Sequence, residues 1–451
     1  MKIIIIGCGE VGKTLAEQLN SKDNTITVID TRSEVISDLT SRLDVMGIVG
    51  NGATLSVQEE AGVRHADLLI AVTESDELNL LCCAIAKKSL RCKTIARVRN
   101  PEYSSESAFL KEELGLEMLI NPEFAAAETI VRILRFPSAL KIDTFAHGRV
   151  ELLKFRLPED SILAGMSVKD AAIKLKCDLL FCTVERGDDV YIAKGDFVFA
   201  GKDIISLIAS PKNAAEFFKK IGYKTRSVKD LMIAGGDNMT HYLCGMLKKD
   251  GVSVTVIEED LALCEDLSIQ YPSVKVLEGA PTDKSLLLEA GIESMDAVVA
   301  LTDSDEENIL LCLFAKSAGH GKAIAKINRI EFDEVISHLD LDSTVYPKHI
   351  TAEIIARYVR TTQNSRGSNM EKLYHVIKDQ VEAAEFVVQE SSDITDVPLL
   401  ALKLKPDVLI GAIIHDEEVI IPRGNDMIRP GDRVIVVSKL MALHDLTDVL
   451  R

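Results

Sequence analysis

The sequence predicts an α/β protein: two tandem Rossmann-like domains with doubly wound parallel sheets, each followed by a small, strand-rich α+β domain. Three observations predict it. Apolar strand patterns alternate with helical patterns in the first part of each half, the arrangement that builds a parallel sheet with helices on both faces. The chain repeats itself with a period close to half of its 451 residues. A glycine turn follows the first apolar run directly and opens a helix.

The repeat is a duplication of one large unit. Thr27-Val28-Ile29-Asp30 recurs as Thr255-Val256-Ile257-Glu258. Ala71-Val72-Thr73-Glu74-Ser75-Asp76-Glu77 recurs as Ala300-Leu301-Thr302-Asp303-Ser304-Asp305-Glu306. Further on, Asn79 matches Asn308, Cys83 matches Cys312, Pro122 matches Pro347, Glu128 matches Glu353 and Arg132 matches Arg357.

In chain order, residues 2–6 read as a buried strand and Val11–Asn20 as a helix. Strands follow at Thr25–Ile29, Ala66–Val72 and Thr94–Val98, with a helix over Glu77–Ser89. Short strands then cluster around turn residues: Val150–Leu157, Leu179–Glu185, Val190–Ala193 and Asp203–Ala209, with turns at Gly187-Asp188 and Lys194-Gly195-Asp196. The second half ends in the same style, at Glu385–Gln389, Val408–His415, Val419–Pro422 and Arg433–Ser438. The expected domains are therefore 1–140 (Rossmann), 141–226 (small), 227–369 (Rossmann, with a degenerate glycine loop) and 370–451 (small). The polar stretch Thr361–Asn369 reads as a linker.

Composition bounds the function. Hydrophobic residues make up 47% and charged residues 27%, the balance of a soluble globular protein. A formal net charge of -18 argues against nucleic acid as a partner, since phosphate binding needs a concentrated basic face. It fits docking onto a basic surface such as the cytoplasmic loops of a membrane protein; ordinary solubility explains it equally well. The nine cysteines are scattered and odd in number, with no CxxC, so reduced buried thiols are expected rather than disulfides or zinc. The opening Met1–Gly7 run is too short for a signal peptide, and no apolar stretch approaches the roughly 20 residues that cross a bilayer.

The candidate site is a nucleotide cleft in the first half. Gly7-Cys8-Gly9-Glu10-Val11-Gly12 sits between strand and helix, and Asp30 closes the second strand. Gly7 permits the tight turn, Gly9 lets a phosphate approach the N–H groups of the helix start, and Gly12 lets helix and strand pack closely. Asp30 is placed to accept hydrogen bonds from the hydroxyls of an adenosine ribose. Its charge disfavours a 2′-phosphate, though Arg32 pulls the other way. Asn51 and Gly52 follow the third strand. Thr73 and Glu74 end the fourth at the carboxyl edge, where ligands bind in doubly wound folds. Arg97 and Arg99, two apart, point the same way and suit a polyphosphate; for Arg99 a solvated or ion-paired role fits as well. A glycine turn kept for packing alone is the competing reading, and the agreement of glycines, strand, helix and acid favours the nucleotide.

The second loop, Ala234-Gly235-Gly236-Asp237-Asn238-Met239-Thr240, has drifted. Asp237 stands for Gly9 and Thr240 for Gly12, while Lys326 and Asn328 replace Arg97 and Arg99. Glu258 keeps the ribose carboxylate. One dinucleotide per chain is expected, in the first unit.

At these motifs the sequence resembles the TrkA family of Trk-system potassium uptake proteins, cytosolic proteins of bacteria and archaea with tandem RCK (regulator of K⁺ conductance) units. The resemblance rests on IIIIGCGEVG, TVID, ADLLIAVTESDELNLLCCAIAK with its repeat DAVVALTDSDEENILLCLFAK, IARVRNPEY, the crossover Asn121-Pro122-Glu123, and the terminal PRGNDMIRPGDRVIVV. It implies a non-enzymatic protein that assembles as a homo-tetramer, a ring of eight RCK units. The ring would lie in the cytoplasm on the inner face of the membrane, beneath an integral-membrane potassium translocator of the Trk/Ktr type. NAD(H) or ATP/ADP in the Rossmann clefts would gate transport. By matching position, the resemblance assigns ligand contacts to Gly7, Cys8, Gly9, Glu10, Val11, Asp30, Asn51, Gly52, Thr73, Glu74 and Arg97.

Two other functions compete. An NAD-dependent dehydrogenase needs an acid/base beside the nicotinamide and a substrate domain; His65 precedes a strand, His241 lies in the drifted loop, and the small domains are undersized for that task. A redox-sensing transcription factor needs a basic helix-turn-helix, which this acidic chain does not display. Cys82, Cys83 and Cys312 lie on apolar helices and read as core.

Overall fold

The structure, a computed structural model, describes residues 1–20, 24–88, 92–136, 139–187, 189–222, 228–248, 250–319, 321–328, 336, 339, 341, 343–364, 369–377, 380–439, 443 and 445–451. The expected boundary near 226, residues 365–368 of the expected linker, Ser89 and Asp188 lie outside the described residues.

The first half opens with β1 (Lys2–Ile6), α1 (Glu10–Leu19), β2 (Thr25–Asp30), α2 (Ser33–Arg42), β3 (Met46–Val49), α3 (Leu55–Glu60) and β4 (Leu68–Ala71). It continues with α4 (Asp76–Lys87), β5 (Lys93–Arg97), α5 (Pro101–Ser105), α6 (Ser107–Glu113), β6 (Met118–Ile120) and α7 (Pro122–Arg135). Its sheet has the order β3-β2-β1-β4-β5-β6 with every pair parallel. This is the doubly wound order, with its switch point between β1 and β4. Ile3 to Ile6 are all buried because helices cover both faces of a parallel sheet, which is why β1 reads as a continuous apolar run rather than an alternation.

A small domain follows: β7 (Ala139–Phe145), β8 (Val150–Arg156), α8 (Val168–Leu175), β9 (Leu179–Arg186), β10 (Asp189–Ile192), β11 (Ile204–Ala209) and α9 (Pro211–Lys220). Its antiparallel sheet has the order β10-β9-β11-β8-β7. Phe155, Phe181, Phe199, Phe217 and Phe218 fill the space between this sheet and the helices.

The second half repeats the plan. β12 (Asp230–Ala234), α10 (Asn238–Leu247), β13 (Ser253–Glu258), α11 (Leu261–Gln270), β14 (Lys275–Glu278), α12 (Lys284–Glu289), β15 (Ala297–Ala300), α13 (Asp305–Ala318), β16 (Lys322–Lys326), β17 (Ser343–Val345) and α14 (Pro347–Asn364) give a sheet of order β14-β13-β12-β15-β16-β17. β18 (Met370–Ile377), β19 (Val381–Val387), β20 (Val408–His415), β21 (Glu418–Ile420) and β22 (Arg433–Ser438) form the last sheet, of order β18-β19-β22-β20-β21. The predicted fold class is therefore the observed one.

The chain divides into two compact units, each drawn from both halves. Met1–Val131 and Val228–Ala356 form one; Arg132–Ser227 and Arg357–Arg451 form the other. In the first unit the two Rossmann domains meet at α7 and α10. Phe124 presents an edge-on contact to Tyr242 at 5.4 Å between ring centres, and Asn121 Nδ2 donates to the Tyr242 hydroxyl at 2.8 Å. In the second unit the two small-domain sheets share one apolar layer that includes Phe145, Leu152, Ile208, Tyr374, Ile414 and Val437. No helix among the described residues is long and apolar enough to cross a membrane.

Candidate functional site

The carboxyl ends of β1, β2 and β4 open onto a cleft of ≈ 600 Å³. That lies within the range of about 300–1,000 Å³ typical of small-ligand sites. Gly7, Gly9, Glu10, Val11, Asp30, Asn51, Gly52, Thr73, Glu74, Arg97 and Arg99 line it together. Cys8 and Gly12 lie behind the wall: Cys8 is fully buried, and Gly12 packs on the Gly7 carbonyl. Glu258 belongs to the other half, where it ends β13.

The three loop glycines serve different ends. Gly7 has φ +93°, left-handed backbone that an L side chain rarely adopts, and a Cβ there would sit 2.7 Å from the Thr73 nitrogen. A Cβ at Gly12 would lie 2.0 Å from the Gly7 oxygen. Both positions are fixed by packing. A Cβ at Gly9 would meet nothing within 4 Å. Packing therefore does not demand a glycine at Gly9, and the space before its Cα is open. Gly9 is also the N-cap of α1 and, lacking a side chain, offers the first-turn N–H groups no cap of its own.

Asp30 is buried, at 8% exposure, and its carboxylate is already engaged. It accepts from Cys8 N–H at 2.8 Å, Arg32 N–H at 3.0 Å and Arg32 Nε at 3.1 Å. Burial pushes this carboxyl up, but the hydrogen bonds from Arg32 and Cys8 outweigh it and hold it below the usual carboxylate range. A ribose would share Asp30 with the exposed end of Arg32. The Cys8 thiol, pushed up to about 12 by burial and by Asp30, stays protonated and unreactive.

The opposite wall is cationic. Arg97 ends β5 and donates to the Thr73 carbonyl at 2.6 Å; Arg99 donates to the Glu74 carbonyl at 2.6 Å. Arg97 Nε is buried with no hydrogen-bond partner among the described residues. Burial, and then the neighbouring Arg99, lowers the Arg97 pKa, against the pull of Glu123, Asp76 and Glu74.

Residues that the sequence reading passed over hold this wall in place. Asn79, fully buried, accepts from Thr73 N–H at 2.7 Å and donates to the Arg97 carbonyl at 2.9 Å. Asp76 accepts from the backbone of Arg99 and Asn100, each at 2.8 Å. An asparagine at the same place in both copies, Asn79 and Asn308, was the available signal. Lys348, also unforeseen, reaches the cleft from the second half.

The second loop has the same fold and different chemistry. Asp237 caps α10, accepting from Met239 N–H at 3.0 Å and Thr240 N–H at 3.2 Å, and pairs with Lys326 Nζ at 2.8 Å. Thr240, in place of Gly12, donates its hydroxyl to the Gly235 carbonyl at 2.7 Å. Glu258 accepts from Gly236 N–H and, at 2.8 Å, from Asp260 N–H. The carboxylate of Asp237 thus sits on helix N–H groups and a strand-end cation, as a phosphate would.

Comparison with known proteins agrees in family and fold. The TrkA-N domain matches residues 3–122 and 231–347, and the TrkA-C domain matches residues 152–222 and 383–451. A Trk system potassium uptake protein TrkA homolog 1 of Methanosarcina mazei is 32% identical, over 99% of both chains. The Archaeoglobus fulgidus TrkA homolog is 31% identical over 100% of both, and TrkA of Haemophilus influenzae is 30% identical over 97% of this chain and 95% of its own. Among solved structures, the GsuK RCK domain superposes with a TM-score of 0.63 at 18% identity, covering 97% of this chain and 92% of that one. The GsuK channel bound to NAD gives 0.64 at 18% identity, covering 97% and 76%.

Proposed function

Because this chain belongs to the TrkA family, we propose that it is a cytosolic, nucleotide-binding regulatory subunit of a potassium uptake system and acts without catalysis. The observation that carries the reading is Gly9. Its Cβ position is open, its side chain offers the helix no cap, and half-buried Arg97, whose Nε is buried without a hydrogen-bond partner among the described residues, lines the same cleft. Backbone donors and a desolvated cation converging on one space call for an anion that comes close to the backbone, as a pyrophosphate does.

The ligand we assign to the first cleft is NAD(H), with ATP or ADP as the competing nucleotides. Gly7, Gly9, Glu10, Val11 and Gly12 shape the phosphate loop. Asp30 takes the ribose, Asn51 and Gly52 flank the adenine side, and Arg97 and Arg99 take the phosphates. Cys8 contributes its backbone, and Glu258 marks a weaker mononucleotide position in the second half. Neutralising Arg97 stabilises whichever arrangement of the Rossmann domains holds the ligand best, and the population shifts by that differential affinity. The wider setting we assign is a homo-tetrameric ring, peripheral on the inner membrane face, gating an integral-membrane translocator of the Trk/Ktr type; the names of relatives support its place in a potassium uptake system.

Calorimetric titration of the purified chain with NADH, NAD, ATP and ADP tests this. We expect one saturable site per chain for at least one of them. Absence of binding for all four at millimolar concentration would overturn the reading. Light scattering tests the ring, with four chains expected and a persistent monomer counting against it.

A further inference from the structure

We propose that Lys348, supplied by the second half of the chain, is a phosphate-binding residue of the first cleft. The site is then shared between the two Rossmann domains instead of belonging to one. This rests on the nucleotide reading above and adds a specificity-determining residue to it.

Lys348 lines the first cleft although it is separated from the glycine loop by most of the chain. It occupies the second position of α14, which begins at Pro347. No ion pair joins it to another described residue. The duplication supplies an internal control. Pro122 matches Pro347, so Glu123 of α7 matches Lys348. Glu123 also faces across the division between the domains: its carboxyl feels Arg99 and Arg97 of its own half and Asp237 of the other.

Lys348 of α14 thus enters the first cleft, whereas Glu123, at the matching place on α7, lies near Arg99 and Arg97 of its own half as well as Asp237 of the other. The first cleft gains a cation beside Arg97 and Arg99. Asn121 and Phe124 at the start of α7 pack on Tyr242 of α10 and so join the two Rossmann domains, with Tyr242 also donating to the Arg99 carbonyl at 3.4 Å. A ligand carrying phosphate is drawn to the first cleft by both halves, whereas an uncharged nucleoside engages one. Ligand charge thereby becomes a force between the domains, and the more phosphate a nucleotide carries beside Lys348, the more strongly it favours their close arrangement.

The experiment is calorimetric titration of the full chain with NADH, ADP and adenosine. It compares wild type with Lys348→Gln, Lys348→Arg and Lys348→Glu, with thermal melts of each as a check on folding. Losing one charge-assisted phosphate contact should weaken NADH and ADP about tenfold in Lys348→Gln. Lys348→Glu should weaken them further, and Lys348→Arg should stay close to wild type. Adenosine affinity and melting temperature should not change. Equal NADH and ADP affinities in wild type and Lys348→Gln would overturn the proposal while leaving the nucleotide reading intact. An equal loss for adenosine would show a packing role and would overturn it too. A wild type that binds none of the three would remove the nucleotide reading itself, and this proposal with it.

Discussion

A methyl group added at Gly12 would lie 2.0 Å from the Gly7 oxygen, whereas one added at Gly9 would touch nothing within 4 Å. Gly12→Ala should therefore destabilise the fold by about 1–3 kcal/mol through overpacking. Gly9→Ala should leave the melting temperature unchanged and weaken nucleotide binding. Differential scanning calorimetry with titration separates the two; a wild-type affinity in Gly9→Ala would remove the argument built on that position. At this scale the sequence was informative wherever one turn brings the residues together. Gly7 to Gly12 and Asp30 were legible because a strand, a tight turn and a helix leave little freedom in where they meet. Asp237 was legible as a charge hostile to phosphate; its contacts as the cap of α10 and partner of Lys326 were not, because Lys326 lies 89 residues away in the chain. Asp30 was assigned to the ribose alone, but it also satisfies the Cys8 and Arg32 N–H groups. Lys348 was not legible, because no local pattern tells which cleft a crossover residue enters.

Single elements differ in how openly the sequence declares them. β1 and β20 were read correctly because their apolar runs are bounded by turn residues. β7 and β18 were missed, although each begins a small-domain sheet. Both are edge strands paired on one side only, and ALKIDTF and MEKLYHVI interleave charged and apolar residues without a clean boundary. β8 carries a testable oddity. Glu151 on that strand is 7% exposed, and its Oε2 has no hydrogen-bond partner among the described residues. Burial raises its carboxyl from 4.5 to about 7, against the pull of Arg132 and Arg135. The folded pKa lies above the unfolded one, so the associated stability is complete below about pH 4.5 and is lost as pH rises through about 7. Glu151→Gln should then be the more stable form at pH 8, on the order of 2–3 kcal/mol, with the gap closing toward pH 4.5. Melting curves across that range check it; a gap independent of pH would mean that ionisation is not the cause.

Across the molecule, the duplication was visible in the sequence, but the way its copies combine was not. Sequence similarity shows that two units exist; it does not show that Rossmann domain pairs with Rossmann domain and small domain with small domain. That pairing runs through Tyr242 in the first unit. Tyr242→Ala should cost about 1–3 kcal/mol through the lost ring contact and hydrogen bond. It should also lower dinucleotide affinity by loosening the placement of Lys348, readable by calorimetry; unchanged affinity would show that the cleft tolerates a slack interface. Each compact unit is also stitched from two stretches of chain, Met1–Val131 with Val228–Ala356 in one case. Synthesis runs from one end, at about 5–20 residues per second. The first Rossmann domain must consequently wait roughly 10–45 seconds on the ribosome for the surface it will pack against. During that interval Phe124 and its neighbours face water or a chaperone. Pauses in translation between the two copies would lengthen the exposure, so the yield of native protein should depend on codon usage in that stretch as well as on the amino acids it encodes.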